Sequence, residues 1–133
     1  MKITDIQVIE FRLPTHGHDT KWGYGTHGEH RDGVQSVTKV VTDEGGTGYS
    51  AGGVHSYFYG ARPEEVEAVV KPLLLGQDPW DRERLWHWMK GHRGISDRLL
   101  GNIDCALWDL AGRATGMPVA KRLGGVNAAR RWV

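Results

Sequence analysis

Ile103-Asp-Cys-Ala-Leu-Trp-Asp-Leu-Ala-Gly-Arg-Ala-Thr-Gly-Met-Pro-Val-Ala-Lys-Arg-Leu-Gly-Gly125 is the stretch on which the fold turns. It reads as an amphipathic helix stopped by Gly116 and Pro118, a one-turn helix opening on Pro118, and a double-glycine exit. Upstream the same periodicity continues, so the helix is predicted from about Asp97 to Thr115. Leu99, Ile103, Ala106, Leu107, Leu110 and Ala114 share one side at spacings of three and four. Asp109 and Arg113 are placed to pair four residues apart on another side. Cys105, the lone cysteine, falls inside this helix. A packed thiol is expected there, and no internal disulfide can form.

Further upstream two more helices are predicted. Pro63 suits a first helical position, Glu64, Glu65 and Glu67 favour the positive end of the helix dipole, and Val66, Val69, Val70, Leu73 and Leu74 form a stripe. Pro72 is expected to kink or end that helix, and Gly76 to finish it. Asp78-Pro79 announces the next, which runs to about Lys90 with Leu85, Trp88 and Met89 as its buried face. Before the helices, Ile3 to Phe11 reads as a strand with imperfect alternation, ended by Pro14. Val34 to Thr42 reads as a second strand. Asp43-Glu44-Gly45-Gly46 supplies a turn into a third, Thr47 to Ala51. Strands followed by helices indicate an α+β domain: a three-stranded antiparallel meander followed by a bundle of about three helices.

With 133 residues the chain can build one domain with a real core and not two. A hydrophobic fraction of 39% against 25% charged places it among ordinary globular sequences rather than disordered ones. A formal net charge of +1 gives no electrostatic case for nucleic acid or an anionic membrane. No signal peptide is apparent at the N-terminus, and no segment approaches the ~20 apolar residues of a membrane helix. A cytoplasmic protein is the expectation.

Two loops stand out, Pro14 to Asp32 and Gly52 to Arg62, the first longer than a connection between adjacent strands requires. They hold five of the seven histidines: His16, His18, His27, His30 and His55. His16-x-His18 and His27-x-x-His30 have metal-chelating spacing, but no carboxylate or cysteine at persuasive spacing completes a set, although Asp19, Glu29 and Asp32 are near. Solvated loop histidines and substrate contacts are the other readings. Trp22, Tyr24, Tyr57, Phe58 and Tyr59 call for shelter, against their own domain or in a pocket closed by a partner. Lys21 adds a cation suited to a carboxylate. Together these side chains favour a polar, hydroxylated ligand.

Other motifs yield to simpler explanations. Gly45 to Gly53 is glycine-rich, but no helix opens on it and no P-loop lysine follows, so a hairpin accounts for it. Trp80, Trp86, Trp88 and Trp108 are expected in the core, with Trp86 and Trp108 far enough off the main stripes to bury against another domain or subunit. Lys121, Arg122, Arg130 and Arg131 read as solvated charge. No nucleophile elbow or paired-carboxylate signature is present, so no catalytic residues are assigned within this chain.

Leu75-Gly76-x-Asp78-Pro79 leading into Leu85-Trp86, then Asn102-Ile103-Asp104-x-Ala106-Leu107-Trp108-Asp109-Leu110-x-Gly112, then Gly116-x-Pro118 and Leu123-Gly124-Gly125, together resemble the N-terminal capping domain of the enolase superfamily, mandelate racemase and muconate lactonizing enzyme type. The resemblance implies a cap (residues 1–125) on a modified TIM barrel, with 126–133 entering the first barrel strand and the rest of the barrel missing. It also implies that Mg²⁺ ligands and a lysine or histidine base lie on that barrel, where the proton next to a substrate carboxylate is removed. The cap would supply two loops that select the substrate, matching the two loops above. Lys21, Trp22, Tyr24, His27, His55 and Tyr57 become the substrate-binding candidates. A sugar-acid dehydratase is the expected parent enzyme, with the 133-residue chain inactive and holding no cofactor itself. A racemase or epimerase, a cycloisomerase, or a free-standing ligand- or partner-binding module are the alternatives. A homo-oligomer is expected, since a cap parted from its barrel exposes an apolar face.

Overall fold

The computed structural model describes residues 1–15, 31–53 and 60–125. Strands β1 (Ile3–Thr15), β2 (Arg31–Thr42) and β3 (Thr47–Gly53) form an antiparallel sheet in the order β1-β2-β3. A helical run of three contiguous pieces, Pro63–Glu65, Val66–Val70 and Lys71–Leu74, is α1. It is followed by α2 (Arg82–Gly91), α3 (Asp97–Thr115) and the single turn α4 (Val119–Arg122). This is the α+β meander and helix arrangement expected from the pattern.

The imperfect alternation of β1 has a local cause. The register against β2 shifts between Ile3 and Asp5, so one extra residue bulges. Ile3 and Ile6 therefore both reach the core despite their odd and even positions, while Ile9 and Phe11 beyond the bulge face outward. All three strands are longer than expected. Pro14 does not end β1: it pairs with Asp32, and the ladder continues to Thr15 and Arg31. Pro14 is tolerated because β1 is an edge strand, where a missing N–H need not break the ladder. At the other end Thr42 N–H donates to the Gly46 carbonyl at 3.0 Å and closes the β2–β3 turn.

Pro72 neither ends nor breaks α1. The turn before it, Val66–Val70, is π-wound, and Lys71 N–H donates to the Val66 carbonyl five residues back. A proline cannot donate to the carbonyl four residues earlier and its ring crowds it; a wider turn relieves both problems. Val66, Val70 and Leu74 stay in the core, with Val69 and Leu73 packed at its margin.

Helix α3 is the spine. Ser96 caps it, its hydroxyl accepting from Leu99 N–H at 3.3 Å, and Gly116 ends it in the left-handed conformation. Leu99, Leu100, Ile103, Ala106, Leu107 and Leu110 join Leu85 and Met89 of α2, the α1 stripe and Ile3, Ile6 and Val40 of the sheet. Three expected placements are corrected. Trp88 is 42% exposed, because Leu85 and Met89, four apart, take the buried line and carry Trp88 to the flank. Ala114 is exposed in the last turn of α3. Cys105 is exposed on the outer side of α3, not packed.

Candidate functional site

The meander decides where the two loops begin and end. Thr15 pairs with Arg31, and Gly53 pairs with Gln35 four residues further along β2. The C-terminal ends of β1 and β3 and the N-terminal end of β2 therefore lie at one end of the sheet. Residues 16–30 and 54–59 both spring from that end. Lys21, Trp22, Tyr24, His27, His55 and Tyr57 lie outside the described residues, as do His16, His18, His30 and 126–133.

Beneath the loop stems the inner face of β2 is polar. Ser36, Thr38 and Thr42 point inward with Val40 and are buried. Thr38 Oγ1 donates to Asn102 Oδ1 at 2.5 Å, and Asn102 Nδ2 donates to Ser50 Oγ at 3.3 Å. One α3 side chain thus ties down β2 and β3 together, and among the described residues no buried side-chain polar atom lacks a partner. Asp109 makes a second tie, accepting from Tyr49 N–H at 2.8 Å while holding Arg113 at 2.7 Å. The close approach of β3 to α3 requires Gly48: a Cβ there would fall within 2.6 Å of Leu110 N and Cβ and closer still to the Ala106 carbonyl. Helix contact, more than the hairpin, accounts for that glycine.

The exit of the second loop is held as tightly. A Cβ on Gly60 would overlap the Ser36 hydroxyl and lie 3.3 Å from Gly52 Cα. Arg98 of α3 donates through Nη1 to the Gly60 carbonyl and through Nη2 to Glu65 Oε1 and Oε2 at 2.6 and 2.7 Å. Glu65 Oε2 also accepts from Arg62 N–H at 3.3 Å. Sequence reading missed Arg98; its charge carries no signal until Gly60 and Glu65 are brought beside it. Asn102 was visible in the motif, though its bonding role was not.

A separate open cleft of about 260 Å³ lies between α2 and α3, lined by Arg82, Glu83, Trp86, His87, Asp104 and Trp108. The Arg82 guanidinium lies 3.2 Å from the Trp108 ring centroid and 3.9 Å from Asp104 Oδ1. Burial raises the Asp104 pKa, against the pull of Arg82, and burial likewise lowers that of Arg82. Desolvation outweighs mutual attraction at both partners, as suits so long an ion pair. Partial desolvation and then the neighbouring Asp104 charge raise the Cys105 pKa as well.

Trp80 and Trp88 are exposed rather than in the core, while Trp86 and Trp108, the two read as lying off the main stripes, are half-buried. Trp86 packs at the core margin, and arginines stack on the others: Arg82 on Trp108, Arg84 on Trp88 at 4.6 Å and Arg122 on Trp80 at 5.5 Å. Arg122, read as solvated charge, also donates to Thr115 Oγ1 at 2.9 Å. Among the described residues no group of three histidine, cysteine or carboxylate side chains is placed to hold a metal ion. No helix among them is long and apolar enough to cross a membrane.

The family model of the mandelate racemase / muconate lactonizing enzyme N-terminal domain matches residues 16–124, and the chain belongs to that family. It is 34% identical over 106 residues to a D-galactonate dehydratase family member of Paenibacillus sp. strain JDR-2, covering 71% of this chain and 25% of that protein. It is 34% identical over 131 residues to a cis-3-hydroxy-L-proline dehydratase of Roseibium aggregatum, covering 94% and 35%. Among solved structures, D-glucarate dehydratase from Agrobacterium tumefaciens complexed with magnesium superposes with a TM-score of 0.75 at 40% identity, covering 95% of this chain and 33% of that one. The chain thus spans a quarter to about a third of the length of these relatives.

Proposed function

We propose that this chain is the substrate-selecting cap of a Mg²⁺-dependent enzyme that removes the proton α to a carboxylate, and that the parent enzyme is a sugar-acid dehydratase. The observation that carries the reading is the common origin of residues 16–30 and 54–59 at one end of the sheet. Two loops so rooted can close over one ligand. Lys21 suits the substrate carboxylate; Trp22, Tyr24 and Tyr57 suit the walls of a pocket; His27 and His55 suit the sugar hydroxyls. Their work is binding, orientation and exclusion of water. The reacting groups and Mg²⁺ belong to a barrel that the 133 residues do not include, and the chain alone turns over no acid. In the overall reaction the α-proton and the β-hydroxyl leave as water and the enol tautomerises to a 2-oxo acid.

Residues 1–125 form the cap in this reading, and 126–133 begin the first barrel strand. The barrel docks on the cleft of Arg82, Trp86, Asp104 and Trp108, whose tryptophan and arginine content suits a buried interface. Ile9 and Phe11, 50% and 40% exposed on the outer sheet face, supply an apolar patch for self-association. Similarity to the cis-3-hydroxy-L-proline dehydratase over 94% of the chain favours one second reading, dehydration of a hydroxylated cyclic amino acid.

The test is to purify the protein encoded by the complete reading frame and assay it with Mg²⁺ on D-galactonate, D-glucarate and cis-3-hydroxy-L-proline. A 2-oxo acid formed from a sugar acid, and none formed by the 133-residue chain, is expected. Racemisation without dehydration, or turnover by the chain alone, would contradict the proposal.

A further inference from the structure

β1 is an edge strand of 13 residues whose free edge is closed at both ends and open in the middle. The bond from Thr42 N–H to Gly46 shows that even-numbered residues of β2 turn their backbone groups toward β3. Odd-numbered residues of β2 therefore bond β1. Val8, Glu10 and Arg12, which lie opposite Thr38, Ser36 and Val34, present N–H and C=O to the free edge. At the start of the strand that edge is taken. Ile3 N–H donates to the Gln77 carbonyl at 2.9 Å, Gly76 N–H donates to the Ile3 carbonyl at 2.8 Å, and Ile6 N–H donates to Asp5 Oδ1 at 2.8 Å. At the far end Pro14 has no N–H to offer. Among the described residues no strand pairs with β1 between these stops. The open window carries Ile9 and Phe11, 50% and 40% exposed, on the outer face, and exposed Glu10 and Arg12 on the other.

Charges on an edge strand commonly keep other strands away. Here their order makes the edge fit a copy of itself. Two such edges, paired antiparallel, must set even residues opposite even residues. A pair centred on Glu10 or on Arg12 would place like charges together. Centred on Ile9, it would set Arg12 against Ile6, whose N–H is already bonded to Asp5. Centred on Phe11, it sets Glu10 of each copy opposite Arg12 of the other and Phe11 against Phe11, with Val8 N–H facing the Pro14 carbonyl. We propose that the free edge of β1 pairs antiparallel with the same edge of a second copy, about a two-fold axis at Phe11, and joins two three-stranded sheets into one. Main-chain bonds supply the affinity, and the two Glu10–Arg12 pairs supply the register. The proposal deepens the self-association stated above and rests on it; it uses no assignment of substrate.

Sedimentation velocity on the 133-residue chain is the first measurement. An interface this short belongs to the weak class, so a reversible dimer is expected over about 10–500 µM. R12E and E10R each turn two attractive pairs into repulsive ones and should weaken their own dimer at least about tenfold. The double swap E10R/R12E should recover it, and an equimolar mixture of the two single variants should form a mixed dimer. Near-UV circular dichroism checks that each variant is folded; if a single variant is not, disulfide trapping decides. Trapping uses a C105S background, which removes the exposed native thiol. Phe11→Cys should oxidise to a linked dimer, because the opposed Cα atoms of such a pair lie about 4.5 Å apart. Ile9→Cys should not, since its two copies would stand about 13 Å apart along the strands. Phe11→Cys in the complete enzyme should give the same link, read by peptide mass spectrometry. A dimer that ignores R12E, or that couples through Ile9→Cys and not Phe11→Cys, would overturn the register and leave the self-association standing. A chain that stays monomeric throughout that range would overturn both. Coupling in the 133-residue chain but not in the complete enzyme would also overturn the proposal, showing that later residues of the same chain occupy the edge.

Discussion

Thr38 Oγ1 and Asn102 Oδ1 lie 2.5 Å apart in a fully buried contact between the middle strand and the long helix, 64 residues apart in sequence. The bond does what apolar packing cannot: it selects one rotation of α3 over the sheet. Through Ser50 the same amide also holds β3.

Thr38→Val keeps the shape and deletes the donor. It should cost about 1–3 kcal/mol because Asn102 Oδ1 is left buried without its partner. Thr38→Val with Asn102→Leu should cost less than the sum of the two single changes, since both polar partners go together. Urea unfolding of the four proteins checks this. Strict additivity would show that the two residues are not coupled.

Two glycines should respond in opposite directions. Gly48→Ala would drive a Cβ into the α3 backbone at Ala106 and Leu110, which cannot swing aside as a side-chain tip can, and should destabilise by about 3 kcal/mol or more. Gly101, exposed in the interior of α3 with nothing within 4 Å of an added Cβ, should tolerate alanine and gain about 0.5–1 kcal/mol. Thermal unfolding of the two variants tests the pair, and a stable Gly48→Ala protein would show that β3 and α3 are not in close contact.

Asp104 gives a pH dependence of definite sign. Burial raises its pKa in the folded chain, so the folded state binds the proton more tightly than the unfolded state. Its contribution to stability is therefore greatest at low pH and falls as pH rises from the ordinary carboxylate value, about 3.9, through the raised value. Asp5 has the opposite sign: bonds from Gln7 and then Lys71 lower its pKa, so its stabilising contribution is lost as pH falls through that lowered value. Subtracting the stability of Asp104→Asn from that of the wild type cancels Asp5. The difference should decline with rising pH; a flat or rising difference contradicts the burial of Asp104.

The 133-residue chain should not bind Mg²⁺ at micromolar concentrations if, as proposed, its ligands lie on a separate barrel; among the described residues no group of three candidate ligands is assembled. Titration calorimetry on the purified chain checks this, and a saturable single site would place metal ligands on the cap.

Much of this architecture was legible in the residues, and the exceptions share a cause. Ser96, Gly116 and Pro118 mark the ends of α3 by local chemistry, which a sequence displays directly. The bulge near Thr4 and the π-wound turn before Pro72 are tertiary adjustments; periodicity registers them only as irregular alternation and as a misplaced proline. Trp88 and Trp80 were assigned to the core by hydrophobicity, yet an arginine stacked on each ring supplies an alternative to burial. The loops were located by length and composition, and their stems by strand pairing. Arg98 stayed hidden because its meaning lies in a carbonyl 38 residues away.

The most direct test is the ratio of kcat/KM for two acids, measured on the complete enzyme with alanine in turn at Trp22, Tyr24, His27, His55 and Tyr57. Selection by the cap requires that ratio to move by about tenfold in several variants while Tm stays within a few degrees of the wild type. Unchanged kinetics across all five would contradict it, and the choice of substrate would then belong to the barrel alone.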